Sequence, residues 1–163
     1  MKMNLLLNNK KIEIDCNEQE TLFNVLRRQN IKSIKYGCKS GVCNSCYVLL
    51  NNKQVPSCMV PVASIQNQSI ETLEYFSHSK EYNDIITSFE KAQISLCGHC
   101  NTGRIFAIHN IISSSVYPNR NDIINKMKNF TCGCTTIEIL MGAIYKAYDI
   151  RYERIGKEKY GRK

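Results

Sequence analysis

Gly37-Cys38-Lys39-Ser40-Gly41-Val42-Cys43-Asn44-Ser45-Cys46 carries three cysteines spaced C-x4-C-x2-C. Pro56-Ser57-Cys58 adds a fourth after eleven intervening residues. A second quartet follows in Cys97-Gly98-His99-Cys100 and Cys132-Gly133-Cys134, spaced C-x2-C-x31-C-x-C. Of the nine cysteines only Cys16 stands outside these groups. Four sulfurs is the ligand number of an iron–sulfur cluster or of a structural zinc ion.

The first spacing is that of plant-type [2Fe–2S] ferredoxins. A loop wound tightly round bridging sulfides needs inward-pointing amides and residues that tolerate left-handed backbone. Gly37, Gly41 and Asn44 supply that tolerance. Structural zinc usually sits between two C-x2–4-C knuckles, and a triple run in one loop is a poor knuckle. The second quartet taken alone leaves zinc as a rival. Its two pairs are expected at helix starts, where the helix dipoles present their positive ends to thiolate.

Length and composition agree with metal stapling. In 163 residues there is room for two small domains, and each would bury too little surface to be more than marginal without a staple. The cysteine number is odd, and Leu5-Leu6-Leu7 is too short for the core of a secretory leader. A reducing cytoplasm is the expected address, with no membrane and no nucleic acid as partner. The charge of +8 is half accounted for by residues 151–163, where six Lys/Arg face Glu153 and Glu158. That run reads as a solvated tail or a docking arm.

Along the chain, Lys2–Leu7 and Lys11–Asp15 flank Asn8-Asn9-Lys10 as a hairpin. Helical spacing covers Thr21–Gln29. A second hairpin turns at Asn51-Asn52-Lys53, and Ser69–Leu73 reads as one more strand. After about Tyr75 helices are expected over Asp84–Ala92, Thr102–Ile112, Asp122–Asn129 (capped by Asn121 or Asp122) and from Thr136 to about Tyr148. The fold class is α+β: an N-terminal β-grasp, ferredoxin-like domain (1–76), then an all-α four-helix [2Fe–2S]-binding domain (77–152) and a basic tail (153–163).

Taken together, the two quartets resemble the small iron–sulfur subunit of the xanthine dehydrogenase (molybdenum hydroxylase) family. The resemblance rests on residues 37–46, Pro56-Ser57-Cys58, Cys97 to Gly103 and Cys132-Gly133-Cys134-Thr135, and spans Lys2 to Tyr152. It implies two [2Fe–2S] clusters, one on Cys38, Cys43, Cys46 and Cys58 and the other on Cys97, Cys100, Cys132 and Cys134. It implies two partners, a large molybdopterin-binding subunit and an FAD-binding medium subunit. Single electrons would pass from molybdenum to flavin, and the chain would be an oxidoreductase subunit with no active site of its own. The helical-domain cluster would lie nearer molybdenum and the ferredoxin-like cluster nearer flavin.

Three departures face the molybdenum side. Leu96 stands where the family usually has a pterin-contacting Gln, Asn101 opens a stretch where Thr-Pro-Gly is usual, and Gly133 replaces an Arg between the last two cysteines. The missing cation at Gly133 predicts a lower potential for the nearby cluster. Cys16 reads as a buried thiol. His99 invites a Rieske reading, but eight cysteines already fill both sites. His78 and His109 read as surface or helix residues. Two alternatives remain: a freestanding two-cluster ferredoxin, and a basic zinc module contacting nucleic acid.

Overall fold

The computed structural model describes residues 1–130 and 133–160, the last without its side chain. Strands β1 (Lys2–Leu7) and β2 (Lys10–Asp15) form an antiparallel hairpin. Its turn puts Asn8 and Asn9 at φ 51° and 64°, the left-handed pair that a two-residue hairpin turn demands and that Asn adopts at low cost. Helix α1 (Leu22–Arg28) crosses next. Strands β3 (Tyr47–Leu50) and β4 (Lys53–Pro56) repeat the device with Asn51 and Asn52 at φ 48° and 64°.

Two 3₁₀ turns, Ser57–Met59 and Val62–Ile65, lead to β5 (Ser69–Glu71). The sheet order is β2-β1-β5-β3-β4. Strand β5 lies parallel to β1 and antiparallel to β3, so the last strand closes the gap between the hairpins. Met3, Leu5 and Leu7 alternate into a core shared with Leu22, Val25 and Leu26 of α1. This is the two-layer packing of one helix on a mixed sheet. Cys16 is buried in the same core, as a free thiol.

The short helix α2 (Leu73–Phe76) passes the chain to a helical half built from α3 (Lys80–Lys91), α4 (Asn101–Ile112), α5 (Arg120–Met127) and α6 (Ile137–Tyr160). Helix α5 starts earlier than its apolar spacing suggests. Asn119, not Asn121 or Asp122, is the cap, its Oδ1 accepting from the Asp122 amide at 2.9 Å. Helix α4 is buried on nearly every side, from Thr102 to Ile108 and again at Ile111 and Ile112. It is wedged between β3 and β4 and the other helices, and a helix enclosed in this way has no polar face to show.

Helix α6 continues past Tyr148 through most of the expected tail. Arg154 explains why: it forks onto Asp84 of α3, with Nε 3.0 Å from Oδ1 and Nη2 2.7 Å from Oδ2. Lys80 with Glu158 and Arg151 with Glu81 extend the network. Part of the basic run is thus an internal clamp. No helix among the described residues is long and apolar enough to cross a membrane.

Candidate iron–sulfur centres

The first quartet lies on the loop between α1 and β3, closed by the turn after β4. Ser57 is fully buried and sets that closure. Its amide and hydroxyl both donate to the Cys46 carbonyl, at 3.1 and 2.7 Å, which brings Cys58 to Cys46. Gly41 at φ 75° and Asn44 at φ 59° carry the loop through left-handed backbone. The resulting curl points amides at sulfur. The Cys43 N–H donates to Cys38 Sγ at 3.4 Å. That bond, then one from the Ser40 amide, draws the Cys38 thiol down to about 6 against a small cost of burial. Cys58 moves the other way, to about 11, through burial and then its contact with Cys46.

The Cys43 amide thus reaches the Cys38 sulfur, and the Ser57 bonds hold the Cys58 turn against the Cys46 backbone. Burial first, then the charges of Cys46, Cys58, Cys43 and Cys38, raise the Tyr47 phenol above its ordinary value. Among the described residues no three His, Cys, Asp or Glu side chains converge on a single-ion site. Four cysteines on one curled loop and its closing turn, with an amide aimed at the Cys38 sulfur, suit a centre that takes four thiolates.

Cys97 and Cys100 lie on the loop into α4, and Cys100 is that helix's N-cap residue. Cys134 lies just ahead of α6. Cys132 lies outside the described residues. The helix-start expectation therefore holds for Cys100 and for the approach of Cys134 to α6. No disulfide joins the described cysteines.

The two loops meet. A Cβ on Gly37 would lie 2.8 Å from Cys43 Sγ and 3.4 Å from His99 Nε2. A Cβ on Gly98 would lie 3.3 Å from Lys35 Nζ. Thr102 Oγ1 donates to the Ser33 carbonyl at 3.0 Å, and Asn44 Nδ2 to the Asn129 carbonyl at 3.0 Å. His99, set aside in the sequence, thus stands at the junction of the two sites.

The comparisons agree with this geometry. Residues 5–71 match the 2Fe-2S iron-sulfur cluster binding domain, and residues 72–145 match the [2Fe-2S] binding domain. The nicotine 6-hydroxylase small subunit of Paenarthrobacter nicotinovorans is 25% identical over 90% of this chain and 89% of its own. The chain belongs to the small iron–sulfur subunits of the xanthine dehydrogenase, or molybdenum hydroxylase, family. Mouse xanthine dehydrogenase/oxidase is 27% identical over 79% of the chain, which spans 11% of that longer protein. Quinoline 2-oxidoreductase from Pseudomonas putida 86 superposes with a TM-score of 0.78 at 27% identity, over 93% of this chain and 96% of that one. The small subunit is an electron-transfer component of an oxidoreductase, built from two 2Fe-2S domains.

The structure also places two residues that the sequence singled out. Leu96 packs at the edge of the helical core, in a cleft of about 210 Å³ with Tyr82, Phe89 and Ile105. Among the described residues other than its chain neighbours, nothing lies within 4 Å of a Cβ placed on Gly133. The sequence reading missed Arg104, which is 2% exposed and donates through Nη1 to Cys134 Sγ at 3.4 Å. The available signal was helical spacing: Arg104 follows Cys100 by four residues, which puts it above the same end of α4.

Proposed function

We propose that the small subunit passes single electrons from a pterin-bound molybdenum centre in a large partner subunit to a flavin in a medium partner. Electrons enter at the second quartet and leave at the first. The observation that carries this reading is the meeting of the two cysteine loops over Gly37, between Cys43 Sγ and His99 Nε2. Each [2Fe–2S] cluster, when bound, supplies reversible one-electron storage. Cys38, Cys43, Cys46 and Cys58 would hold the first. Cys97, Cys100, Cys132 and Cys134 hold the second. The amides of Ser40, Gly41 and Cys43 donate toward the first set of sulfurs and offset their negative charge.

The surface round the first quartet suits a docking partner. Tyr36 and Val42 are 62% and 64% exposed on the loop that also carries the Lys39 cation, and Met59, 53% exposed on the turn after β4, completes an apolar rim. Beside it, Cys38 and Cys58 line a cleft of about 350 Å³ with Tyr36 and Phe23. This rim takes the flavin-bearing partner. On the molybdenum side Leu96 offers no hydrogen bond, so the large subunit is a divergent member that holds its pterin by other contacts.

Anaerobic purification with the partner subunits tests the reading. About four irons and four labile sulfides per chain are expected on the two-cluster ligand count, in a complex that also contains molybdenum and flavin. Full iron with no larger subunit attached would instead make the chain a freestanding two-cluster ferredoxin. Colourless protein that folds stoichiometrically around zinc would defeat both.

A further inference from the structure

Arg104 is among the most deeply buried side chains of the protein, and it carries a permanent charge. Its backbone amide donates to the Cys100 carbonyl at 3.2 Å, and its Nη1 donates to Cys134 Sγ at 3.4 Å. Its guanidinium carbon lies 5.7 Å from the centre of the Phe130 ring. Met127, Ile137 and Leu140, with Lys128, Thr135 and Thr136, line a cavity of about 260 Å³ with it. A guanidinium taken out of water in this way is tolerated where negative charge faces it. Thiolate sulfur at Cys134 is such a charge, and a cluster held by four thiolates carries more.

Resting on the reading that the second quartet binds a [2Fe–2S] cluster, we propose that Arg104 is the potential-setting residue of that site. Reduction by one electron would add one negative charge to a cluster held there, while the guanidinium charge stays fixed. A fixed positive charge beside Cys134, in a low-dielectric pocket, stabilises the more negative reduced form over the oxidised one. The cation therefore reaches the second sulfur site from α4, and the glycine between the last two cysteines does not leave the site without one. The first quartet has no equivalent guanidinium bond among its described contacts, so Arg104 separates the two sites in potential and favours arrival of the electron at the second.

The test is a redox titration of the full chain, reconstituted anaerobically, with the two clusters followed separately by electron paramagnetic resonance. Arg104→Met should shift the reduction equilibrium of the second cluster at least tenfold toward the oxidised form, which is about 59 mV for one electron. The first cluster should be unmoved, and Arg104→Lys should retain most of the wild-type midpoint. A second-site midpoint within threefold of wild type in iron-replete Arg104→Met would overturn the proposal. So would an equal shift at both sites. If Arg104→Met fails to hold iron at the second site, iron retention by Arg104→Lys at near wild-type midpoint supports the charge role, and its loss from both variants assigns Arg104 to packing. Wild-type protein with iron for only one cluster would instead defeat the underlying ligand assignment.

Discussion

A methyl group on Gly103 would lie 2.3 Å from the carbonyl oxygen of Asn44. The first turn of α4 is therefore pressed against the backbone of the first cysteine loop, closer than any side chain allows. Gln54 Nε2 holds the Gly103 carbonyl at 3.2 Å, and Asn110 in turn holds Gln54. The helix that carries Cys100 is thus keyed directly to the loop that carries Cys43 and Cys46.

Gly103→Ala should force this contact apart. The obstructing atoms are Asn44 backbone, which has little freedom to move, so a loss of about 2–3 kcal/mol is expected from overpacking. Denaturant unfolding of the iron-loaded chain measures it. The same variant should weaken the magnetic interaction between the two reduced clusters; an unaltered spectrum would mean that their separation does not depend on this contact.

Gly37→Ala acts more locally. Its Cβ would sit 2.8 Å from Cys43 Sγ, too close for the sulfur to keep its place. The first cluster should be lost and the second kept, so iron should fall from about four to about two per chain. Loss of all iron would show that the two halves do not assemble independently.

Glu74 ties the joint between the halves. Its carboxylate accepts from the Lys32 and Ser33 amides at 2.8 and 2.7 Å and from Ser33 Oγ at 2.7 Å. Burial alone would raise its pKa, but the Ser33 hydroxyl and amide outweigh it and hold the carboxyl below its usual range. A depressed carboxylate stabilises the fold above the unfolded value and loses that effect as pH falls through the folded one. Glu74→Gln should cost about 1 kcal/mol at pH 7, allowing for solvent screening of a half-exposed group. The gap between wild type and variant should close below about pH 4, measured by urea unfolding; a gap that widens on acidification would contradict this sign.

Asp84 is 4% exposed and has Arg154 as its bidentate partner. Arg154→Met should leave that carboxylate buried without its fork and destabilise the protein by about 3 kcal/mol, with no change in either cluster's midpoint. A stability indistinguishable from wild type would return residues beyond 152 to the status of a dispensable tail.

Val42→Asp places a charge in the exposed rim of the first quartet. Iron content and midpoints should persist while electron exit to the flavin partner slows about tenfold or more, read as the reoxidation rate of the assembled complex. Unchanged exit would move the docking site elsewhere.

Sequence alone grouped eight cysteines into two candidate ligand sets, because ligand spacing within a tight loop is a local property of the chain. It also determined the hairpins, because paired Asn residues adopt left-handed turns that few others take cheaply, and the rhythm of α4 and α6. Tertiary structure decided the rest. Only packing could place Gly103 on Asn44 and His99 beside Gly37, since these contacts join segments far apart in the chain. Only packing turned Arg154 from a tail charge into a clamp, and Arg104 from one basic residue among twenty-two into the cation beside Cys134. A charge reveals its role through what is buried around it, and burial is not written in the order of the residues.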